Sequence, residues 1–186
     1  WREEASLLLE WHIYGLSKKL NFWDDENWFI NRLSVYKKDE KWFYCITRCS
    51  DSEEFNRKSK KVYLDKWVLY QIWDRWNREW KWFFDNKIPK PAWKRKQYRN
   101  YHKSNYGLTD EDLDELHMKS LLYYWYRVDI DKKPVAVILY ETTKQDKFTN
   151  DDLDTTFRDH IPPLLHVLKF ILPNITKPLY DNNKQI

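Results

Sequence analysis

Two groups of side chains in this sequence have the types and spacing to do chemistry. The first is the aromatic set Trp67, Tyr70, Trp73, Trp76, Trp80 and Trp82, with Tyr98 further along as a further candidate ligand contact. Such rings can build a box for a flat or cationic small molecule, because each ring face carries negative quadrupole charge. The same rings can instead fill the core, and the scarcity of small residues favours that reading. The second group is basic: Lys94, Arg95, Lys96, Arg99 and Lys103, interleaved with Trp93, Tyr98, Tyr101 and Tyr106. Cations for phosphates and rings for bases suit single-stranded nucleic acid. They equally suit an anionic ligand or lipid headgroups. The plainer reading is a solvated helix face with its tyrosines turned inward, since Tyr98 and Tyr101 are three apart.

Enzyme signatures are absent. Two glycines in the whole chain cannot supply a phosphate-binding loop. His160 and His166 lack metal-site spacing and no Cys–His cluster supports zinc, so neither a metal nor a cofactor is expected. Glu141, Lys144, Asp129 and Asp131 loosely resemble a carboxylate–lysine nuclease set, with the Glu-to-Lys spacing off by one. Asp151 and Asp152 read as charges at a helix N-terminus rather than as an acid–base pair. The expectation is a protein that is not an enzyme.

The elements that position these groups follow from composition and periodicity. The chain has 186 residues, 42% of them hydrophobic, with 12 Trp and 13 Tyr, which predicts one domain with a bulky aromatic core. Positions needing φ > 0 must be few, or filled by Asn and Asp. A net charge of +4 is milder than a nucleic-acid binder usually shows. Cys45 and Cys49 lie four apart in a predicted strand. That puts both on one side of it, with Cα atoms about 13 Å apart, too far for a disulfide. Free thiols fit a reducing, cytoplasmic setting. No apolar run is long enough to span a membrane. Trp1 and Arg2 could mark the cytoplasmic edge of a preceding membrane helix, or an arbitrary cut in a soluble multidomain protein.

Residues 3–20 read as a helix with two apolar stripes. Leu9, Ile13, Leu16 and Leu20 form one, assigned to a homodimer interface; Leu7, Leu8, Trp11 and Tyr14 form the other. Phe29–Tyr36 and Lys41–Cys49 predict paired strands, as do Leu121–Val128 and Val135–Tyr140 around the turn Asp129–Lys133. Val62–Leu64 predicts a short strand, Lys66–Trp76 a helix, and Trp80 with Trp82–Phe84 another strand. Thr109 caps a helix over Asp110–Lys119. The last helix starts at Asn150 as N-cap and breaks at Pro162-Pro163, where a second helix begins.

The second hairpin carries a family resemblance. Asp131-Lys132-Lys133-Pro134-Val135-Ala136-Val137 resembles the Asp-Gly-Lys-Pro-(Ile/Val)-Gly-Val of GAF domains, with Lys132 and Ala136 in place of the glycines. Glu141-Thr142-Thr143 followed by Phe148-x-x-x-Asp152-Leu153 resembles that family's strand end and start of the final helix. Val62–Asp85 resembles its short helix leading to a strand that ends in Asp. The resemblance implies an α+β fold: an antiparallel sheet with N- and C-terminal helices on one face and a helix/loop cover on the other. It divides the chain into an N-terminal helix (1–22), a GAF-like domain (23–173) and a polar tail (174–186). It implies a sensory or regulatory module of a larger signalling protein. Such a module binds a small molecule or partner and transmits that to neighbouring domains through its terminal helices. Thr142-Thr143 stand where cyclic-nucleotide binders carry Asn-Lys, and Leu153 replaces their Glu. The cysteines that bilin-binding and sulfoxide-reducing relatives need near the cover are missing. The alternative is a nucleic-acid or anionic-surface binding module built on residues 93–106.

Overall fold

The structure is a computed structural model that describes residues 2–23, 29–39, 42–56, 62–63, 69 and 81–174. Strands β1 (Asn31–Lys38) and β2 (Trp42–Ser50) form the first hairpin. Strand β3 (Val62–Tyr63) pairs the far side of β2, and β4 (Trp82–Asp85) opens the second half. Strands β5 (Leu122–Ile130) and β6 (Lys133–Thr142) form the second hairpin. Because β1 lies beside β6, one antiparallel sheet results, in the order β3-β2-β1-β6-β5-β4. The helices are α1 (Arg2–Lys19), α2 (Glu53–Asn56), α3 (Pro91–Tyr106), α4 (Asp110–Asp114) and α5 (Asn150–Ile171).

Strand alternation sends successive side chains to opposite faces. Leu33, Val35, Tyr124, Val128, Ala136, Ile138 and Tyr140 face α1 and α5 in one buried cluster. Tyr36, Phe43, Cys45, Tyr123, Trp125, Val137 and Leu139 face the other side, under α3, α4 and the residues between them. This is the α+β layering expected from the sequence. Helix α5 buries Leu153, Phe157, Ile161, Leu164, Leu168 and Ile171, a stripe of the period a helix needs.

Several expectations are corrected. Leu9, Ile13, Leu16 and Leu20 belong to the chain's own core against α5 and β2, so they are not a dimer face; the outward stripe of α1 is Leu7, Leu8, Trp11 and Tyr14. Helix α5 runs through Pro162 and Pro163 instead of breaking. Both prolines sit on its exposed side, and burial of the apolar stripe outweighs the lost bonds. Its N-cap is Thr149, in a capping box with Asp152, rather than Asn150. Thr109 caps α4 in the same way, yet that helix ends at Asp114 rather than Lys119. The second turn is tighter than expected: Ile130 pairs with Lys133, leaving Asp131 (φ 50°) and Lys132 (φ 64°) as a two-residue loop. Asp131 fits the expected stand-in for glycine; Lys132 does not.

Cys45 and Cys49 also part company. Val35 pairs with Thr47 while Tyr36 pairs with Cys45, so Ile46 is the extra residue of a β-bulge. The bulge reverses the parity between the two thiols. Cys45 faces the cover side, and Cys49 faces α1, where its Sγ lies 3.3 Å from Ser17 Oγ. Among the described residues, no helix is long and apolar enough to cross a membrane.

Candidate functional site

The cover face carries a polar row that crosses five strands. Register alone sets Ser50 beside Arg32, Arg32 beside Glu141, Glu141 beside Tyr123 and Tyr123 beside Asp85. All five are buried. Arg32 Nε donates to Glu141 Oε2 at 2.7 Å, and a second guanidinium nitrogen reaches the same oxygen at 2.7 Å. Ser120 Oγ donates to the other oxygen, Oε1, at 3.2 Å. One step along the strands, Arg48 donates through Nε to Ser34 Oγ at 2.9 Å and through a terminal nitrogen to Tyr36 Oη at 2.7 Å. The sheet thus holds two guanidiniums and two carboxylates out of water, each with polar partners, as buried charge requires.

Helix α3 lies over this row and adds a second layer of rings. Pro91 occupies its first turn, where no N–H is needed, and Gly107 at φ 64° closes it with its N–H on the carbonyls of His102 and Lys103. Tyr98, His102 and Tyr106 are its buried residues. His102 Nδ1 lies 3.0 Å from the Tyr98 carbonyl oxygen and Nε2 lies 3.4 Å from Tyr123 Oη. Burial lowers the His102 pKa, which keeps the ring neutral. Asp85, at the end of β4, accepts the Tyr101 hydroxyl, which lies 2.9 Å from each carboxylate oxygen, and the Tyr106 hydroxyl. Burial first, and the Glu141 charge second, push the Tyr98 phenol up, so it stays a neutral donor. Tyr98 Oη and Trp125 Nε1 are buried on this face with no hydrogen-bond partner among the described residues.

The sequence-based candidates fall on different sides of this geometry. Trp67, Tyr70, Trp73, Trp76 and Trp80 lie outside the described residues. Trp82 packs on the helical side, stacked on Tyr124 with ring centroids 6.4 Å apart, so it is not part of the cover-face set. Phe83 takes the cover side instead, stacked on Trp125. Tyr98 is buried on the inward side of α3, within the cover-side cluster. In the basic segment, Arg99 is spent on Asp110 and Asp114 of α4, and Lys103 on Asp110. Lys94, Arg95 and Lys96 remain exposed beside Trp93, which is 86% exposed. The nuclease-like set is not assembled. Asp131 sits at the tip of the hairpin and Glu141 at its other end, about 30 Å away at about 3.3 Å per residue. Glu141 is paired to Arg32 and Asp129 to Arg127.

Arg32, Arg48, Ser120, Tyr123 and His102 were not singled out by sequence reasoning. Arg32 alone has a local signal, an Arg-x-Ser-x-Tyr alternation in β1 that marks a polar face on a strand whose other face is apolar.

No protein-family model and no curated protein sequence matches this chain. Solved structures do. The GAF domain of an Acinetobacter phosphoenolpyruvate-protein phosphotransferase superimposes with a TM-score of 0.57 at 10% identity, over 91% of this chain and 82% of its own. The blue-light absorbing form of the Thermosynechococcus elongatus PixJ GAF domain gives 0.57 at 12% identity, over 91% and 87%. The chain has a GAF-like fold. A GAF domain/HD domain protein from Geobacter sulfurreducens agrees, with a TM-score of 0.53 at 15% identity over 90% and 97%. In the GAF-like frame the row from Ser50 to Asp85 lies on the cover face, opposite the terminal helices.

Proposed function

We propose that this GAF-like chain is a sensory or regulatory domain, not an enzyme, whose cover face holds a small molecule and whose terminal helices carry its presence onward. One observation supports this above the rest: Tyr98 Oη and Trp125 Nε1 are buried donors without partners where α3 closes over the sheet. An unpaired buried donor costs about 1–3 kcal/mol. A ligand offering acceptor atoms would recover that, with Arg32 and Arg48 biasing the site towards an anionic or carbonyl-bearing molecule. Two of the structural neighbours are named as GAF domains of larger proteins, which supports a modular role. Free thiols at Cys45 and Cys49 suit a cytoplasmic one.

A route to the helices exists beside the site. Next to Glu141, Tyr140 points to the helical side, where its hydroxyl donates to Asn31 Oδ1 at 3.0 Å. Its ring lies between Phe22, just after α1, and Phe148, just before α5, at 5.9 and 6.0 Å. Lys147 Nζ joins the Asn21 carbonyl and Asn31 Oδ1 at 2.9 and 3.0 Å. A ligand that repartners Glu141 or Arg32 would act on the strand residues that hold both helix ends, biasing one arrangement over another.

Native mass spectrometry of the freshly purified chain tests this, followed by a thermal-shift screen of small anions and metabolites. A retained mass, or a stabilising compound, whose binding is lost in Arg48→Met is the expected result. A bare chain that no compound stabilises would overturn the ligand reading.

A further inference from the structure

Between Asp85 and Asp110 the chain carries seven Lys and Arg residues and no acid. Arg99 and Lys103 are spent on α4. The other five, Lys87, Lys90, Lys94, Arg95 and Lys96, are exposed, and none makes an ion pair among the described residues. They flank Trp93, at 86% the most exposed large apolar side chain among the described residues. The fold does not explain this placement. Cations at a helix start oppose the positive end of its dipole. Helices α4 and α5 begin with acids in capping boxes, whereas α3 has no acid in its first turn and no side-chain cap at Lys90. The backbone leading into the patch is anchored. Ile88 is fully buried, Gln145 Nε2 donates to its carbonyl at 3.2 Å, and the Lys87 N–H donates to Asp85 Oδ1 at 2.9 Å.

We propose that this end of α3 docks on an anionic lipid bilayer, with Trp93 in the headgroup layer and the five cations on the lipid phosphates and carboxylates. An indole suits that layer because it joins an apolar body to a single N–H donor. Lys and Arg gain from the negative surface potential of such a bilayer. Other polyanions fit less well. Single-stranded nucleic acid is held by successive stacking rings. Here Tyr98 and Tyr106 are buried and Tyr101 is bonded to Asp85, which leaves one ring outside. A protein partner needs a wider apolar centre than one indole. Docking through this end of α3 leaves α1 and α5 free on the opposite face of the sheet, and it does not depend on what the cover face binds.

Flotation of the 186-residue chain with lipid vesicles, with circular dichroism to verify folding, is the test. At about 50 mM salt, where surface charge is weakly screened, phosphatidylcholine vesicles containing phosphatidylserine should carry the protein upward. Vesicles of phosphatidylcholine alone should not. Binding should fall steeply by about 500 mM salt, as screening shortens the reach of charge. Lys94→Gln, Arg95→Gln and Lys96→Gln combined should weaken it about 100-fold, at about fivefold per cation. Trp93→Ser should weaken it while leaving the salt dependence intact. Absence of flotation with the phosphatidylserine vesicles would overturn the proposal. So would a triple variant, or a Trp93→Ser protein, that binds as the wild type does. Tighter binding to single-stranded oligo-uridine than to the vesicles at the same salt would overturn it in favour of nucleic acid.

Discussion

Towards α1 and α5 the sheet presents Leu33, Val35, Ile138 and Tyr140, whereas towards α3 the same strands present Arg32, Ser34, Leu139 and Glu141. The helical face is packed by dispersion and burial, with long apolar stripes from two helices laid across it. The cover face is just as buried, yet it spends much of its area on charge and hydroxyls. A protein needing only stability would finish both faces alike, since a well-packed apolar set is as stable as a buried ion pair or more so. The difference separates two jobs on a single layer of strands: one face holds the fold, and the other holds donors and charges at fixed positions. Strand alternation makes this possible without any residue doing both.

The strongest way to break this comparison is at the Arg32–Glu141 pair. Arg32→Met leaves Glu141 buried and uncompensated, and is expected to cost about 3–5 kcal/mol in urea unfolding. On the helical face, Ile13→Ala is expected to cost about 2–5 kcal/mol by opening a cavity. The similar sizes hide different physics, and double variants separate them. Adding Glu141→Leu to Arg32→Met should restore most of the loss, because the orphaned charge is gone. Adding Leu164→Ala to Ile13→Ala should deepen it. If Arg32→Met costs less than about 1 kcal/mol, the range of an exposed ion pair, the cover-face pair is effectively solvated and the contrast fails.

His102 sharpens the comparison through pH. Burial lowers its pKa in the folded state below the ordinary 6.5, so the unfolded chain takes up the proton first as pH falls. Stability is therefore full above about pH 6.5 and declines as pH drops below it, by about 1.4 kcal/mol for each unit of lowering. His12 is lowered in the same sense on α1, near the surface. Asp51, raised by burial, works in the opposite direction nearer its ordinary 3.8. Urea midpoints at pH 7.5 and pH 5 should show the decline, and His102→Gln should flatten it. An unchanged slope in His102→Gln would place the titration elsewhere.

Much of the fold was legible locally. The apolar and β-branched runs placed both hairpins to within about two residues, the ordinary error at element ends, and the start of the last helix was read at Asn150, where the helix begins. Proline chemistry misled at Pro162 and Pro163, because a local rule was applied where the burial of a whole helix face decides. The site was far less legible. Arg32 and Glu141 stand 109 residues apart, and only the β1–β6 register joins them. Trp82 was assigned to the ligand side, but its parity is fixed by pairing with Tyr126, which its neighbours do not encode. One bulge at Ile46 separated two cysteines that simple counting puts together. Arginines within strands read as solvated ends, until both faces of the strand prove to be covered.

The finest test uses one substitution on both faces. Tyr124 Oη on the helical side and Tyr98 Oη on the cover side are both buried without a partner. Removing either hydroxyl relieves a buried unpaired group, so Tyr124→Phe and Tyr98→Phe are each expected to raise stability by up to about 1 kcal/mol in the ligand-free chain. Tyr106→Phe should do the opposite, because that hydroxyl is bonded to Asp85. The two faces then diverge once a ligand is present. Tyr124 packs on Phe157 with ring centroids 4.6 Å apart, and its change should leave ligand-induced stabilisation intact. Tyr98→Phe removes a donor that the ligand is proposed to meet, so its thermal shift with ligand should shrink while its ligand-free stability rises. Equal behaviour of the two variants under ligand would make the cover-face hydroxyl an ordinary packing imperfection, and the asymmetry between the faces would then be one of composition alone.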